Sequence, residues 1–162
     1  MAIVYLGLGS NLGDRFANLR GALAALAEIA ELEACSRVYE TEPVHVADQP
    51  AFLNMAVRMR TALPPADLLG AVKAIERRLG RTESVRWGPR LIDIDILLVD
   101  GVVLSGAELV IPHPRLAERR FALAPLADVG AAVPHPLERR TVAELLAELP
   151  PAEAVRVVAE GI

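Results

Sequence analysis

With a single cysteine, Cys35, this chain cannot close an internal disulfide. That excludes a cysteine-stapled scaffold and fits a reducing, cytoplasmic setting. Ala34 and Ser36 beside it offer no metal-ligand or nucleophile partner, so Cys35 reads as a small core residue. No apolar run is long enough to span a bilayer. The opening MAIVYLGLGS lacks the basic stretch and long apolar run of a secretory signal. Positive charge is in deficit: 17 Lys plus Arg against 21 Asp plus Glu give a net charge of −4, and a pI near 5.4. No electrostatic footprint for bulk nucleic acid results. Lysine is nearly missing, Lys73 standing beside sixteen arginines, a skew that lowers the weight of any one arginine. Internal repeats are absent; Pro-His-Pro occurs twice, around His113 and His135, in unrelated surroundings. Neither bulk nucleic acid nor a membrane is expected as a partner.

What is present is apolar. At 53% hydrophobic over 162 residues, the chain can bury one substantial core, which predicts a single domain over residues 1–162. Ala2 to Leu8 reads as a strand, followed by a turn-rich segment and a helical pattern through Phe16, Leu19, Leu23, Leu26 and Ala30. Gly7, Gly9 and Gly13 miss the GxGxxG spacing, and no Walker lysine follows. A tight strand-to-helix turn is the plainer reading, with Ser10, Asn11 and Asp14 satisfying helix-start amides. Leu32 to Thr41 predicts a second strand. A Pro-bearing loop, residues 42–50, is long for a hairpin and fits a binding role. Phe52 to Leu63 predicts a third strand, and Pro64-Pro65 start a helix ended by Gly80.

An arginine-bearing loop leads into the most informative stretch, Arg86 to Asp100. Within it, Ile92, Ile94, Ile96 and Leu98 alternate with Asp93 and Asp95 in a β-branched run bounded by turn residues. On a strand that places the two carboxylates on one face. Two acids set in so apolar a run repel each other and lose hydration unless cations are present. Asp93 and Asp95 can hold a divalent metal, and Arg81, Arg86 and Arg90 can hold phosphate, a combination that suits phosphoryl transfer. Taken alone, the same residues are also compatible with an internal Asp–Arg ion-pair cluster.

Further on, Asp100-Gly101 is a hairpin signal returning into Val102 to Leu104. Phe121 to Val129 is an apolar segment broken by Pro125. Thr141-Val142-Ala143-Glu144 is a capping box for a short helix, and Val155 to Ala159 an edge strand. The fold expected is α/β (α+β), a ferredoxin-like β-α-β-β-α-β sandwich. Its sheet is mostly antiparallel, with a C-terminal hairpin and short helices added. His45 and His135 read as surface loop residues, and Arg77-Arg78, Arg119-Arg120 and Arg139-Arg140 as solvated pairs.

GSNLGDR, then TEPV with DQPAFLN, then RWGPRLIDIDIL with IPHP and RFAL form an ordered set. In that order and spacing the chain resembles the 6-hydroxymethyl-7,8-dihydropterin pyrophosphokinases of folate biosynthesis, from Ala2 to about Leu149. The resemblance implies transfer of a diphosphoryl group from ATP to the pterin hydroxymethyl oxygen, releasing AMP. It implies two Mg²⁺ on Asp93 and Asp95, with Asp95 assisting deprotonation of the hydroxyl. It gives Arg81, Arg86 and Arg90 to the phosphates, Arg81 and Arg90 in a catalytic capacity, with Trp87 on the same loop. Glu76, Ile96, His113 and Arg119 fall around the nucleotide. Thr41, Pro43, Val44 and Asn54 match the pterin edge pocket, and Phe52 and Phe121 the pair that sandwiches the ring. Without the resemblance, both phenylalanines would be read as core, and His113 as a turn residue. Four positions depart from the pattern: Glu83 where an arginine is common, Glu42 for a proline, Phe52 for a tyrosine and Pro114 for an aromatic. A cytoplasmic monomer is expected. Two other functions fit the aspartate pair by itself: a metal-dependent nuclease or nucleotidyl transferase, and a non-catalytic ferredoxin-like ligand-sensing module. Acidic charge disfavours the first.

Overall fold

The computed structural model describes residues 1–42, 50–80, 91–151 and 155–162. Strand β1 (Ala2–Ser10) leads through helix α1 (Arg15–Leu26) to β2 (Glu31–Cys35) and β3 (Val38–Thr41); β4 (Phe52–Thr61) returns, and helix α2 (Pro65–Arg78) leads to β5 (Asp93–Val99). Short strands β6 (Leu104–Ser105) and β7 (Val110–Ile111), and β8 (Pro134–His135) and β9 (Arg140–Thr141), form two separate pairs, and β10 (Val155–Ala159) lies outside β3 in the sheet order β10-β3-β4-β1-β5, with β2 also beside β4. Every pairing in this sheet among the described residues is antiparallel. This is the split β-α-β topology expected from the pattern.

The alternation within each strand feeds two cores. Leu6, Leu8, Ile94 and Ile96 pack against Leu19 and Leu26 of α1 and Leu68, Val72 and Ile75 of α2. On the other face Tyr5, Ala56, Leu97 and Leu98 meet Leu123 and Leu126 of α3 (Arg120–Gly130) and Val142 and Leu145 of α4 (Val142–Glu148). Each fully buried leucine contributes roughly 2 kcal/mol of apolar burial. Thr141 and Glu144 form the capping box of α4 in both directions. Pro65 opens α2, and Gly80, at φ +91°, lies just beyond its end. No helix among the described residues is long and apolar enough to cross a membrane.

Several expectations need correction. The strand expected over residues 32–41 is two strands, both paired with β4. At the break, the buried Ser36 hydroxyl accepts the Ala56 amide (2.8 Å) and donates to the Arg37 carbonyl (2.6 Å), standing in for a backbone rung. Cys35 is exposed rather than core. The Asp-Gly turn forms, Gly101 taking φ +73°. Its return strand, however, β6 (Leu104–Ser105), pairs with β7 (Val110–Ile111) and not with β5. Pro125 does not break its segment: it lies buried inside α3, and it removes only the donor that would meet the Phe121 carbonyl. His135 is 5% exposed, its Nδ1 accepting the amides of Leu137 (3.2 Å) and Glu138 (3.1 Å). Arg120 is no solvated residue either, since its Nη2 donates to the carbonyls of Leu149 and Pro150 behind α4. His45 lies outside the described residues.

Candidate active site

Strand register assembles the site. Gly7 stands opposite Asp95 of β5 and Ala56 of β4, and Gly9 opposite Asp93 and Asn54. Asn54 in turn faces Tyr39, and Phe52 faces Thr41. Directly opposed residues of an antiparallel pair share a face. Thr41, Phe52, Asn54, Gly9, Gly7, Asp93 and Asp95 therefore form one band across four strands, on the face that α3 and α4 cover elsewhere. Glycine leaves bare backbone at its centre. A Cβ on Gly9 would stand 3.0 Å from Asn54 Oδ1 and 3.7 Å from Phe52 Cδ1; one on Gly7 would stand 3.2 Å from Leu97 Cδ1. Gly9, expected in a turn, is instead part of β1 and of this floor. The available signal was the two-residue spacing of Gly7 and Gly9 in an otherwise apolar strand.

Asp93 and Asp95 are half-buried, while Ile94 and Ile96 between and beyond them are buried in the opposite core. The side chain of Ile96 is thus turned away from the aspartates. Glu76 is buried on α2, and its Oε2 accepts the Ile94 amide at 2.8 Å, so the helix grips β5 between the two acids. Arg119 caps the start of α3 with extended backbone, its guanidinium 5.5 Å from the centroid of the Phe121 ring. Burial lowers the pKa of Arg119, while Asp95 and, more weakly, Asp93 favour its charged form. That cation therefore lies in the field of both carboxylates.

His113 docks on β5 by donating its amide to the Leu97 carbonyl at 2.9 Å. Its Nδ1 accepts the Arg115 amide at 3.2 Å, which leaves the proton of the neutral ring on Nε2. Burial, helped by Arg119 and Arg115, pushes its pKa down to about 4. The folded ring stays neutral where the unfolded one, near 6.5, takes up a proton. Acidification from about pH 6.5 towards 4 therefore favours the unfolded state, and the contribution is fully retained above that window. Thermal melts across this range are expected to fall less steeply for His113→Asn than for the unsubstituted chain. Equal slopes would show that His113 titrates normally.

On the other side of the glycine floor, Asn54 Nδ2 donates to the Thr41 hydroxyl at 2.8 Å, both residues being buried. This bond orients the amide and fixes Asn54 Oδ1 over Gly9. Phe52 and Phe121 are each only half-buried, unlike the core expected of them from composition. Pro43, Val44, Arg81, Arg86, Trp87 and Arg90 lie outside the described residues. At the β1–α1 turn Asp14 caps the helix, accepting the Ala17 amide; Ser10 Oγ accepts from Asn18 Nδ2, and Asn11 Nδ2 donates to the Pro50 carbonyl.

Among the described residues no group of three or more His, Cys, Asp or Glu side chains converges as a metal cage. Two carboxylates on one strand face, about 7 Å apart along the chain, instead suit a hard cation that keeps water and phosphate oxygens in its shell. The residues present fit Mg²⁺ held jointly with a polyphosphate.

Comparison with known proteins identifies the family. Residues 5–131 match the family 7,8-dihydro-6-hydroxymethylpterin-pyrophosphokinase. The chain is 50% identical over 129 residues to the Bacillus subtilis 2-amino-4-hydroxy-6-hydroxymethyldihydropteridine pyrophosphokinase, covering 78% of this chain and 77% of the relative. With the Methylorubrum extorquens protein of the same name identity is 43% over 159 residues, 97% of this chain and 99% of the other. In fold it is similar to the Plasmodium falciparum HPPK-DHPS structure (TM-score 0.72, 16% identity), covering 91% of this chain and 45% of that one.

Proposed function

The chain belongs to the 7,8-dihydro-6-hydroxymethylpterin-pyrophosphokinase family, and from that premise we propose how its residues divide between two substrates. It is a pyrophosphokinase of folate synthesis, with ATP as co-substrate. The diphosphoryl group of ATP passes to the hydroxymethyl oxygen of 6-hydroxymethyl-7,8-dihydropterin, giving AMP and the pterin diphosphate. One observation carries the assignment: register sets Asp93 and Asp95 against two bare glycines, with Asn54 and Phe52 on the far side.

In the proposed division the nucleotide end is Asp93, Asp95, Glu76, His113 and Arg119. Asp93 and Asp95 would hold Mg²⁺, two ions in the fuller form of the proposal. When bound, the metal supplies neutralisation of phosphate charge. Asp95 accepts the hydroxyl proton, and the Arg119 cation faces the transferred group. His113, neutral with its proton on Nε2, is a donor towards a phosphate oxygen. Glu76 acts on β5, keeping the two acids in place. Ile96 contributes through the backbone of that strand, its side chain being core. For Arg81, Arg86, Trp87 and Arg90, the phosphate-binding roles rest on the motif alone.

At the pterin end Asn54 and Thr41 read the donor–acceptor edge, with Pro43 and Val44 added on the motif. Phe52 and Phe121 take the two faces of the flat ring, supported by their half-buried state and by α3 packing on the face of the sheet from which Phe52 projects. The bare backbone of Gly9 and Gly7 lets the ring approach closely. Holding hydroxyl and phosphorus in line across this floor is where most of the rate acceleration arises. A single domain is proposed, supported by two cores that share one sheet. A monomer is proposed, and a cytoplasmic setting, for which the unpaired Cys35 is the support.

Incubation with ATP, Mg²⁺ and the reduced pterin alcohol is expected to yield AMP and not ADP. Formation of ADP would indicate an ordinary kinase, and no turnover by folded protein would sink the reading. A nuclease or a non-catalytic sensor would release no AMP that depends on the pterin.

A further inference from the structure

The GSNLGDR turn carries polar groups that the reaction scheme does not use. Arg15 occupies the first turn of α1, where no acidic residue accompanies it. A cation there opposes the helix dipole, so local preference does not explain the residue. Its tertiary contacts do. Arg15 Nη1 donates both to Glu40 Oε2 and to the Ala51 carbonyl, each at 2.8 Å. Glu40 immediately precedes Thr41 at the end of β3, and Ala51 immediately precedes Phe52 at the start of β4. Thr41 and Phe52 are register partners. One guanidinium nitrogen thus ties together the two chain ends from which the pterin-side residues project.

The tie is reinforced from both sides. The other oxygen of Glu40 accepts from Arg156 of β10, and the fully buried Asn11 donates from the same turn to the Pro50 carbonyl at 3.0 Å. The Arg15 and Glu40 side chains are 29% and 15% exposed, so water screens their pair less than it would a surface one. Hydrogen bonds from Arg156 and Arg15 hold the Glu40 carboxyl below its ordinary range, keeping it charged.

We propose that Arg15 and Glu40 are a positioning pair for the pterin end of the site. They set Thr41 against Phe52 and Asn54, and so tune pterin affinity without acting on the nucleotide. In this role both side chains act through Thr41, Phe52 and Asn54 and not on a substrate directly. The inference rests on the assignment of Thr41, Phe52 and Asn54 to the pterin.

Steady-state AMP formation by Arg15→Met, Arg15→Lys, Glu40→Gln and Asn54→Ala tests it. Arg15→Met, which keeps length but no donor, is expected to raise the pterin KM about tenfold while the ATP KM stays within about twofold. Arg15→Lys, still able to donate, should recover most of that loss. Glu40→Gln should shift the pterin KM in the same direction by less. An unchanged pterin KM in Arg15→Met, or equal rises in both KM values, overturns the proposal. So does a fall in kcat alone that tracks the folded fraction. Should Arg15→Met not fold, Glu40→Gln decides by the same ratio. If Asn54→Ala also leaves the pterin KM unchanged, the substrate assignment itself fails and the positioning role falls with it. If only the Arg15 and Glu40 variants are silent, the assignment stands and the positioning role alone is lost.

Discussion

Asp95→Asn is expected to lower kcat by at least about 10²-fold while leaving the melting temperature close to that of the parent chain. The substitution keeps the shape of the side chain and removes one negative charge. Asp95 is half-buried on the open face of β5, opposite Gly7, and its neighbours Ile94 and Ile96 point into the other core. Packing is therefore untouched. What is lost, on the proposed assignment, is chemical: a ligand able to hold Mg²⁺ and a base for the hydroxyl proton, together with a charge facing Arg119. An amide can neither accept that proton nor bind a hard cation as strongly. Asp93→Asn, opposite Gly9, should also fall, by less if Asp95 alone serves as base. AMP formation at saturating ATP, Mg²⁺ and pterin measures both, with thermal melts as the control. Turnover near that of the parent chain would refute the role of Asp95.

The second large effect belongs to a residue with no side chain. Gly9→Val is expected to raise the pterin KM by about 10²-fold, because a misplacement of order 1 Å is enough for such losses. Valine suits a strand, so secondary structure is preserved. Its Cβ would stand 3.0 Å from Asn54 Oδ1, which must shift, and its methyls would rise between Asn54 and the aspartates. The disturbance meets both the amide proposed to read the pterin edge and the surface on which the ring is proposed to lie. Gly9→Ala should give a smaller rise, because only the Cβ must be accommodated. Measuring pterin and ATP KM values separately locates the damage: a rise confined to the pterin supports the floor, and unaltered pterin binding in Gly9→Val removes it.

How much of this was legible beforehand differs from residue to residue, for physical reasons. Asp93 and Asp95 were readable because strand alternation is local: two-residue spacing in a β-branched run places both acids on one face whatever the partner strand. Thr141 with Glu144, Pro65 and Asp100-Gly101 were readable for the same reason, each being a backbone rule acting over a few residues. Glu76 appeared in helical register with its apolar neighbours, and burial there followed. By contrast, Cys35 looks like core by composition and is exposed, and His135 looks like a loop residue and is buried. Their surroundings come from segments far away in sequence. The Leu32 to Thr41 strand divides because the Ser36 hydroxyl replaces a rung with β4, a bond whose partner, Ala56, lies twenty residues away. Arg120 is held by carbonyls twenty-nine and thirty residues on.

The sequence by itself determined the β-α-β-β-α-β core, the mostly antiparallel α/β class, the shared face of the two acids and, through the ordered motifs, the family. Only the tertiary structure decided that Gly7 and Gly9 face those acids across one strand pair and Asn54 across the next. It alone brought Arg119 into the field of both carboxylates and sent Arg15 to Glu40 and Ala51. Periodicity and turn chemistry are set by interactions within a few residues, which the order of residues displays directly. Register and long-range hydrogen bonding depend on which distant surfaces can be buried together, and that choice is made only when the whole sheet forms.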